Sequence, residues 1–368
     1  APRKGPKTKD CVKNTCKMTK FKGLQLHHLP HDVLRIILSR LTLKEAVRMS
    51  ILSRRWRRLW KCYPKLVFTR ATMRGSNAVV GCRKPPLRTR FIRGINSILR
   101  QLRSTNLNKF VVKFALRKRH TSHIDRWIKF SATSKTKHVV MDLSPGLKGS
   151  NKRDDMYSFP LHLFSGSSGS CVRSLCLGFV YLTPPADLHG FSNLKKLSLH
   201  MVTITGMVGL SIGQELSRLQ YLCVKICSLQ KLDIRAPNLT TLVFADLMVP
   251  IMLHGPLKIS EATILFSASD CFNYVCNDVV NALSHVHPHN HLKTIRMTGF
   301  YGLNCQLELA HHLLRSTTSL ERMIIDPVVG NNSFIPSLKV AQRYMRDGRA
   351  LAFAKLWRKG LDGVLTIL

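Results

Sequence analysis

Leu29-Pro-His-Asp-Val-Leu-Arg-Ile-Ile-Leu-Ser-Arg-Leu-Thr-Leu-Lys-Glu-Ala-Val-Arg-Met-Ser-Ile-Leu-Ser-Arg-Arg-Trp-Arg-Arg-Leu-Trp60 holds three helical registers in close succession. Leu34, Ile37, Leu38 and Leu41 recur at i, i+3, i+4 and i+7, the stripe of a helix that begins after Pro30, where proline is tolerated. Thr42 and Glu45 have the spacing of a capping box, so a second helix starts near Leu43 and places Leu43, Ala46 and Val47 on one face. Leu52, Trp56, Leu59 and Trp60 share the face of a third helix, with Arg54, Arg55, Arg57 and Arg58 around it. So small a helical unit buries too little surface to stand alone, and no disulfide or metal staple is visible. Another protein is expected to complete part of its apolar surface, which makes it a docking module.

The same stretch resembles an F-box. The resemblance rests on the opening Leu-Pro-x-Asp, the Ile-Leu-Ser-x-Leu that closes the first helix, the Glu-Ala pair, and the closing Leu-Ser-Arg-x-Trp-Arg-x-Leu-Trp. His31 departs from the acidic residue common there, which weakens a helix N-terminal charge effect by a few tenths of a kcal/mol. The resemblance implies docking on a Skp-type adaptor and, through it, on a cullin scaffold. Carried over by position, Leu29, Pro30, Leu34, Ile37, Leu38, Leu41, Val47, Leu52 and Trp56 face or support that adaptor.

Downstream, residues 66–105 read as a basic linker broken by Lys84-Pro85-Pro86, followed by a packing helix across Phe91 to Leu102. Ser122 can cap a helix carrying Ile124, Trp127, Ile128 and Phe130, which feeds a strand-like run at His138 to Leu143. Over 106–286 and beyond, the pattern L-x-x-L-x-L recurs with conservative replacements. Its triplets are Val111/Phe114/Leu116, Val172/Leu175/Leu177, Leu194/Leu197/Leu199, Leu219/Leu222/Val224, Leu229/Leu232/Ile234, Leu239/Leu242/Phe244, Leu292/Ile295/Met297 and Leu320/Met323/Ile325. Each ends in a period-two pair that needs one buried face, so the strands must stack into a shared parallel sheet. The fold class expected is α/β: an N-terminal three-helix unit, then an irregular leucine-rich-repeat solenoid.

These repeats resemble the degenerate leucine-rich repeats of plant F-box proteins. His291-Leu-Lys-Thr-Ile-Arg-Met-Thr-Gly-Phe, Glu308-Leu-Ala-His-His-Leu-Leu-Arg and Leu320-Glu-Arg-Met-Ile-Ile resemble the FBD module that ends many of them. The implied order is a disordered basic lead-in (1–23), F-box (24–65), linker and helix (66–105), repeats (106–286), FBD-like module (287–330) and a basic C-terminal helix and tail (331–368).

Residues interleaved with each buried pair point out of the sheet. Lys196, His200, Tyr221, Lys225, Lys231, Arg235 and Arg296 are the candidates for target binding, with Ser198, Cys223, Asp233, Thr241 and Thr294 beside them. Their cations suit an acidic or phosphorylated target segment.

The chain has 368 residues, 58 Lys and Arg against 19 Asp and Glu, and a formal net charge of +39, a surface that seeks acidic partners. The rival reading is therefore a nuclear nucleic-acid-binding protein acting through Lys4 to Lys22 and Arg117-Lys-Arg119, although no reading module accompanies the charge. Eleven cysteines without C-x-x-C pairs read as reduced thiols of the nucleus or cytoplasm. Apolar stretches are too short for a membrane span, and Ala1 to Lys22 lack the apolar core of a secretory signal. His285, His287, His289 and His291 alternate in a proline-containing loop without completing a metal-ligand pattern. Ser165 to Ser170 reads as a flexible loop. No metal, cofactor or catalytic constellation is expected. A ligase receptor works by proximity, raising the effective concentration of target lysines near a charged enzyme.

Overall fold

The computed structural model describes residues 29–72, 86–102, 106–145, 153–164, 166–183, 188, 190–204, 210–227, 229, 231–245, 251–254, 257–266, 290–328, 338–357, 361 and 363–368. The lead-in 1–23, the break at Lys84-Pro85, Ser165, His285, His287 and His289 lie outside them.

Three short helices open the fold: α1 (His31–Arg40), α2 (Leu43–Leu52) and α3 (Arg54–Trp60). The capping box forms as its spacing predicts, with Glu45 N donating to Thr42 Oγ1 at 3.4 Å and Thr42 N to Glu45 Oε2 at 2.8 Å. Ser53 caps α3 by accepting from Trp56 N at 3.2 Å. The inner faces of these helices close over Leu34, Leu38, Ala46, Trp56, Leu59 and Trp60.

An eleven-stranded parallel sheet follows, in the order β1 (Lys65–Thr69), β2 (Lys109–Lys113), β3 (His138–Asp142), β5 (Ser174–Gly178), β7 (Lys196–His200), β10 (Tyr221–Lys225), β12 (Thr241–Ala245), β14 (Glu261–Leu265), β15 (Thr294–Thr298), β16 (Arg322–Asp326) and β17 (Leu365–Ile367). Register aligns one inward column as Leu66, Phe110, Val139, Leu175, Leu197 and Leu222, and a second as Phe68, Val112, Met141, Leu177, Leu199 and Val224. These are the paired positions of the L-x-x-L-x-L pattern, one pair per strand. The helices α4 (Leu87–Gln101), α5 (Thr121–Thr133), α7 (Asn304–Ser316) and α8 (Leu338–Leu356) accompany the sheet, and a single helical turn, α6 (Ser167–Ser170), precedes β5.

Several expectations are corrected. β1 begins at the last residue of the expected F-box and runs into the stretch read as a linker, and β17 makes the expected tail the last strand of the sheet. The triplet Val111/Phe114/Leu116 is out of phase: Phe110 and Val112 occupy the core columns, because the continuous apolar run from Phe110 to Val112 hides the alternation. Leu229/Leu232/Ile234 belongs to another sheet, in which β11 (Leu232–Ile234) pairs with β9 (Leu210–Ile212) and β13 (Ile251–Leu253). A further small sheet joins β4 (Tyr157–Ser158), β6 (Val180–Leu182) and β8 (Thr203–Ile204). His120 rather than Ser122 stands at the N-cap of α5, and its side chain makes no capping bond to the helix but accepts from Arg117 N at 3.1 Å. In the run read as a flexible loop, Gly169 is buried where a Cβ would meet the Phe164 and Gly190 carbonyl oxygens, so the backbone passes too closely for any side chain.

The chain leaves the sheet through a repeated corner. Phe179, Met201, Ile226 and Gly299, each the first residue after a strand, all have positive φ. Their amides extend the ladder by one bond to the carbonyl ending the next strand: Phe179 N to His200 O, Met201 N to Lys225 O, Ile226 N to Ala245 O and Gly299 N to Asp326 O. A backbone ladder thus holds the corners in register where the sequence has no regular Asn or Cys after its strands.

Buried side chains form two clusters. One runs without interruption from Leu34 through Trp127 and Leu197 to Phe244, so the three-helix unit and the first half of the solenoid share a core. The other gathers Phe266, Ile295, Met297, Leu309, Met323, Leu356 and Leu365. Between them stands β14, whose Ala262 and Ile264 are only half-buried.

Candidate functional site

The shared core changes the physical account of the three-helix unit. Its missing apolar partner is supplied in part by the same chain, through Tyr63, Leu66 and Phe68. Polar ties reinforce the join: Tyr63 Oη donates to Leu41 O at 2.7 Å and Lys65 Nζ to Ser39 O at 2.9 Å. Burial pushes the Tyr63 phenol up to about 12, helped by the Glu45 carboxylate, so it stays a donor at neutral pH. Arg55 Nη2 donates to Leu29 O at 2.7 Å and pins the entry to α1. The module is therefore a cap fixed rigidly to the end of the solenoid, in the manner repeat arrays require.

This arrangement sorts the sequence-predicted docking residues. Leu34, Leu38 and Trp56 are 0%, 2% and 5% exposed, so they support the module from inside. Leu29, Ile37, Leu41 and Val47 are half-buried against the same core, Pro30 is exposed, and the side chain of Leu52 lies outside the described residues. The outward apolar surface is made by residues the stripe passed over: Val33, Ile36 and Ile51, 39%, 56% and 75% exposed. The doublet Ile36-Ile37 was the available signal, since successive residues point about 100° apart on a helix and Ile36 falls outside the stripe of Leu34, Ile37, Leu38 and Leu41. A rigid cap that shows three branched apolar side chains to solvent is a surface ready for a partner.

The second surface is the open face of the large sheet. Register places Lys196 beside Tyr221 and His200 beside Lys225 on adjacent strands, and Lys196 Nζ lies 4.1 Å from the Tyr221 ring centroid. Lys109 and Lys113, at the two ends of β2, join them on the same face, and the misplaced phase of β2 had concealed both. The floor between is narrow in chemistry, with Val111, Val140, Cys176, Ser198 and Cys223 in one register line. Burial raises the Cys176 thiol above its usual range, opposed by a hydrogen bond with Ser198. Desolvation lowers His200, with Asp142 opposing and Lys225 assisting, so the imidazole is neutral at pH 7. The Tyr221 phenol is pushed up to about 12, chiefly by desolvation.

Other predicted target contacts are not part of this group. Lys231 and Arg235 flank β11 in the smaller sheet, where Asp233 pairs with Lys231 at 3.1 Å and His254 at 3.3 Å. Arg296 does lie on the open face, but its Nη2 is 2.6 Å from the buried carboxylate of Asp326. Among the described residues, no three His, Cys, Asp or Glu side chains gather as metal ligands, and no helix is long and apolar enough to cross a membrane.

Comparison with known proteins matches two stretches of the chain to families. The F-box domain model matches residues 26–67, and a model described as At1g61320/AtMIF1, LRR domain, matches residues 98–208. F-box/FBD/LRR-repeat protein At1g13570 of Arabidopsis thaliana is 28% identical over 238 residues, 64% of this chain and 52% of that protein. Putative FBD-associated F-box protein At5g22720 of the same plant is 30% identical over 46% of this chain and 33% of its own length. F-box/LRR-repeat protein At3g03360, also of Arabidopsis thaliana, is 28% identical over 62% of this chain and 45% of its own length. The chain spans about half the length of these relatives, or less.

Proposed function

This chain is a plant F-box/LRR/FBD protein, and we propose that it acts as the non-catalytic substrate-recognition subunit of an SCF-type ubiquitin ligase in the nucleus or cytoplasm. The F-box docks on a Skp-type adaptor, which links it to the cullin. The open face of the repeats, around Lys196, His200, Tyr221 and Lys225, captures a target through an acidic or phosphorylated segment. Residues 287–330 form the FBD-like module that closes the solenoid. The observation that carries the reading is the exposure of Val33, Ile36 and Ile51 on a module whose inner faces are packed against its own solenoid. Those side chains are not needed to hold the fold, and they supply the apolar surface that a helical adaptor requires.

Pull-down of the full chain with a Skp adaptor in moderate salt tests this. Salt-resistant capture that the Ile36→Asp, Ile51→Asp variant loses, with the variant's melting curve unchanged, is the expected result. Indifference to the adaptor together with retention on DNA that collapses as salt rises would instead favour a nucleic-acid-binding protein using the +39 charge.

A further inference from the structure

The open face is not uniformly basic. Its charge divides at β10. On the F-box side, Lys109 and Lys196 stand at one end of their strands and Lys113 and Lys225 at the other, while Asp142 is the one carboxylate these strands contribute to the face. Asp142 is already engaged, accepting from Ser144 N at 3.1 Å. Beyond β12 the charges balance: Glu261 appears, and Arg296 is tied to Asp326.

The two rows of cations are four residues apart along each strand, about 13 Å at roughly 3.3 Å per residue. Between them runs a line of small or branched uncharged side chains, Val111, Val140, Cys176, Ser198 and Cys223. From β2 to β10 this line crosses four strand spacings, about 19 Å. Val111 and Cys223 are 4% and 5% exposed between their neighbours on this face, and burial is the first cause of the raised Cys176 thiol. The floor is a dry strip between charged margins.

We infer that this half of the face binds an α-helical segment of the target that carries an apolar stripe flanked on both sides by carboxylates. The inference rests on the proposal that the open face captures an acidic target segment, and it specifies that segment's form. A helix is about 10–12 Å across with its side chains, matching the span between the cation rows, and about thirteen residues cover the strip at 1.5 Å per residue. Its apolar stripe would meet the uncharged floor while acids on either flank reach Lys109 and Lys196 on one margin and Lys113 and Lys225 on the other. An extended strand turns alternate side chains away and can present only one line of groups to such a floor.

Fluorescence anisotropy on the full chain separates the possibilities. Two labelled peptides of equal composition and net charge are compared: one sets leucines in a helical stripe between glutamates, the other permutes the same residues so that no stripe forms. The inference expects the striped peptide to bind at least about tenfold more tightly than the permuted one. Lys113→Glu, Lys225→Glu and, separately, Ser198→Asp should each remove that advantage, while Thr263→Asp, on the charge-balanced half, should leave it intact. Equal binding of both peptides, abolished by the charge reversals, would overturn the helical form and leave the acidic-segment reading standing. Binding of neither peptide, or binding indifferent to the charge reversals, would overturn both.

Discussion

Gln306 organises the turn between β15 and α7, and removing its amide should loosen that region by a definable amount. The side chain is wholly buried. Its Oε1 accepts from Tyr301 N at 2.8 Å, Gly302 N at 3.1 Å and Leu303 N at 3.3 Å, and its Nε2 donates to Gly299 O at 3.2 Å. Gln306→Leu keeps the volume, so no cavity contributes. Tyr301 N and Gly299 O belong to buried residues and would be orphaned at about 1–3 kcal/mol each. Gly302 N and Leu303 N are half-buried and can find water, so each loses only a net bond of about 1 kcal/mol. Burying leucine in place of an amide returns about 1–2 kcal/mol. The balance is a loss of about 2–7 kcal/mol, equivalent even at its lower end to roughly thirtyfold faster amide exchange in β15 and α7 through local opening. Native-state hydrogen exchange on the full chain measures it, with the amides of α1 to α3 as internal reference. A change under about threefold in β15 and α7 would refute the reasoning, because it would mean that water replaces the amide without penalty.

Ile226 is β-branched, 44% exposed and at φ 53°, a conformation that costs about 1–2 kcal/mol for such a residue and little for asparagine. Ile226→Asn should therefore raise the melting temperature by a few degrees, and a fall on calorimetry would show that its packing outweighs its strain. Leu34→Ala should destabilise the F-box by about 2–5 kcal/mol, whereas Ile36→Ala should change stability by under about 0.5 kcal/mol and weaken adaptor binding instead. Urea titration and adaptor titration of the two variants distinguish these roles. His120, His138 and His200 are all lowered, chiefly by desolvation, from an ordinary 6.5. The unfolded chain therefore takes up protons first as pH falls, so the stability these groups contribute is present above about pH 6.5 and declines as pH drops toward their lowered values. Urea midpoints should fall between about pH 7.5 and about pH 5.5, and a His138→Asn, His200→Asn variant should flatten that slope.

What the sequence disclosed follows from how local each signal is. Thr42 and Glu45 contact one another three residues apart, so their capping box could be read without tertiary knowledge. Leu194/Leu197/Leu199 announces a strand because its alternation is clean. Glu261-Ala-Thr-Ile-Leu and Leu365-Thr-Ile carry the same phase with too few large side chains to stand out, and they acquire their strand character from neighbours already in the sheet. Lys231 and Arg235 were grouped with Lys225 because they interleave with Leu232 and Ile234 of an apparent repeat, yet the chain turns a corner at Ile226 and sends them to a different sheet. In the F-box, periodicity marks the face that is buried and says nothing of what buries it. Only the packing of Tyr63, Leu66 and Phe68 beneath the helices reveals why Val33, Ile36 and Ile51 stay exposed.

The division of the interior at β14 bears on how the molecule comes apart. Backbone pairing runs unbroken across that strand, so the sheet transmits register from one end to the other. Apolar cohesion does not, since among the described residues the two clusters meet through half-buried side chains such as Ile259. Under denaturant the C-terminal part should melt as its own cooperative unit while the three-helix cap and the first half of the sheet remain intact. A chain built this way can lose the closing end of its array while the helical cap at the other end stays folded.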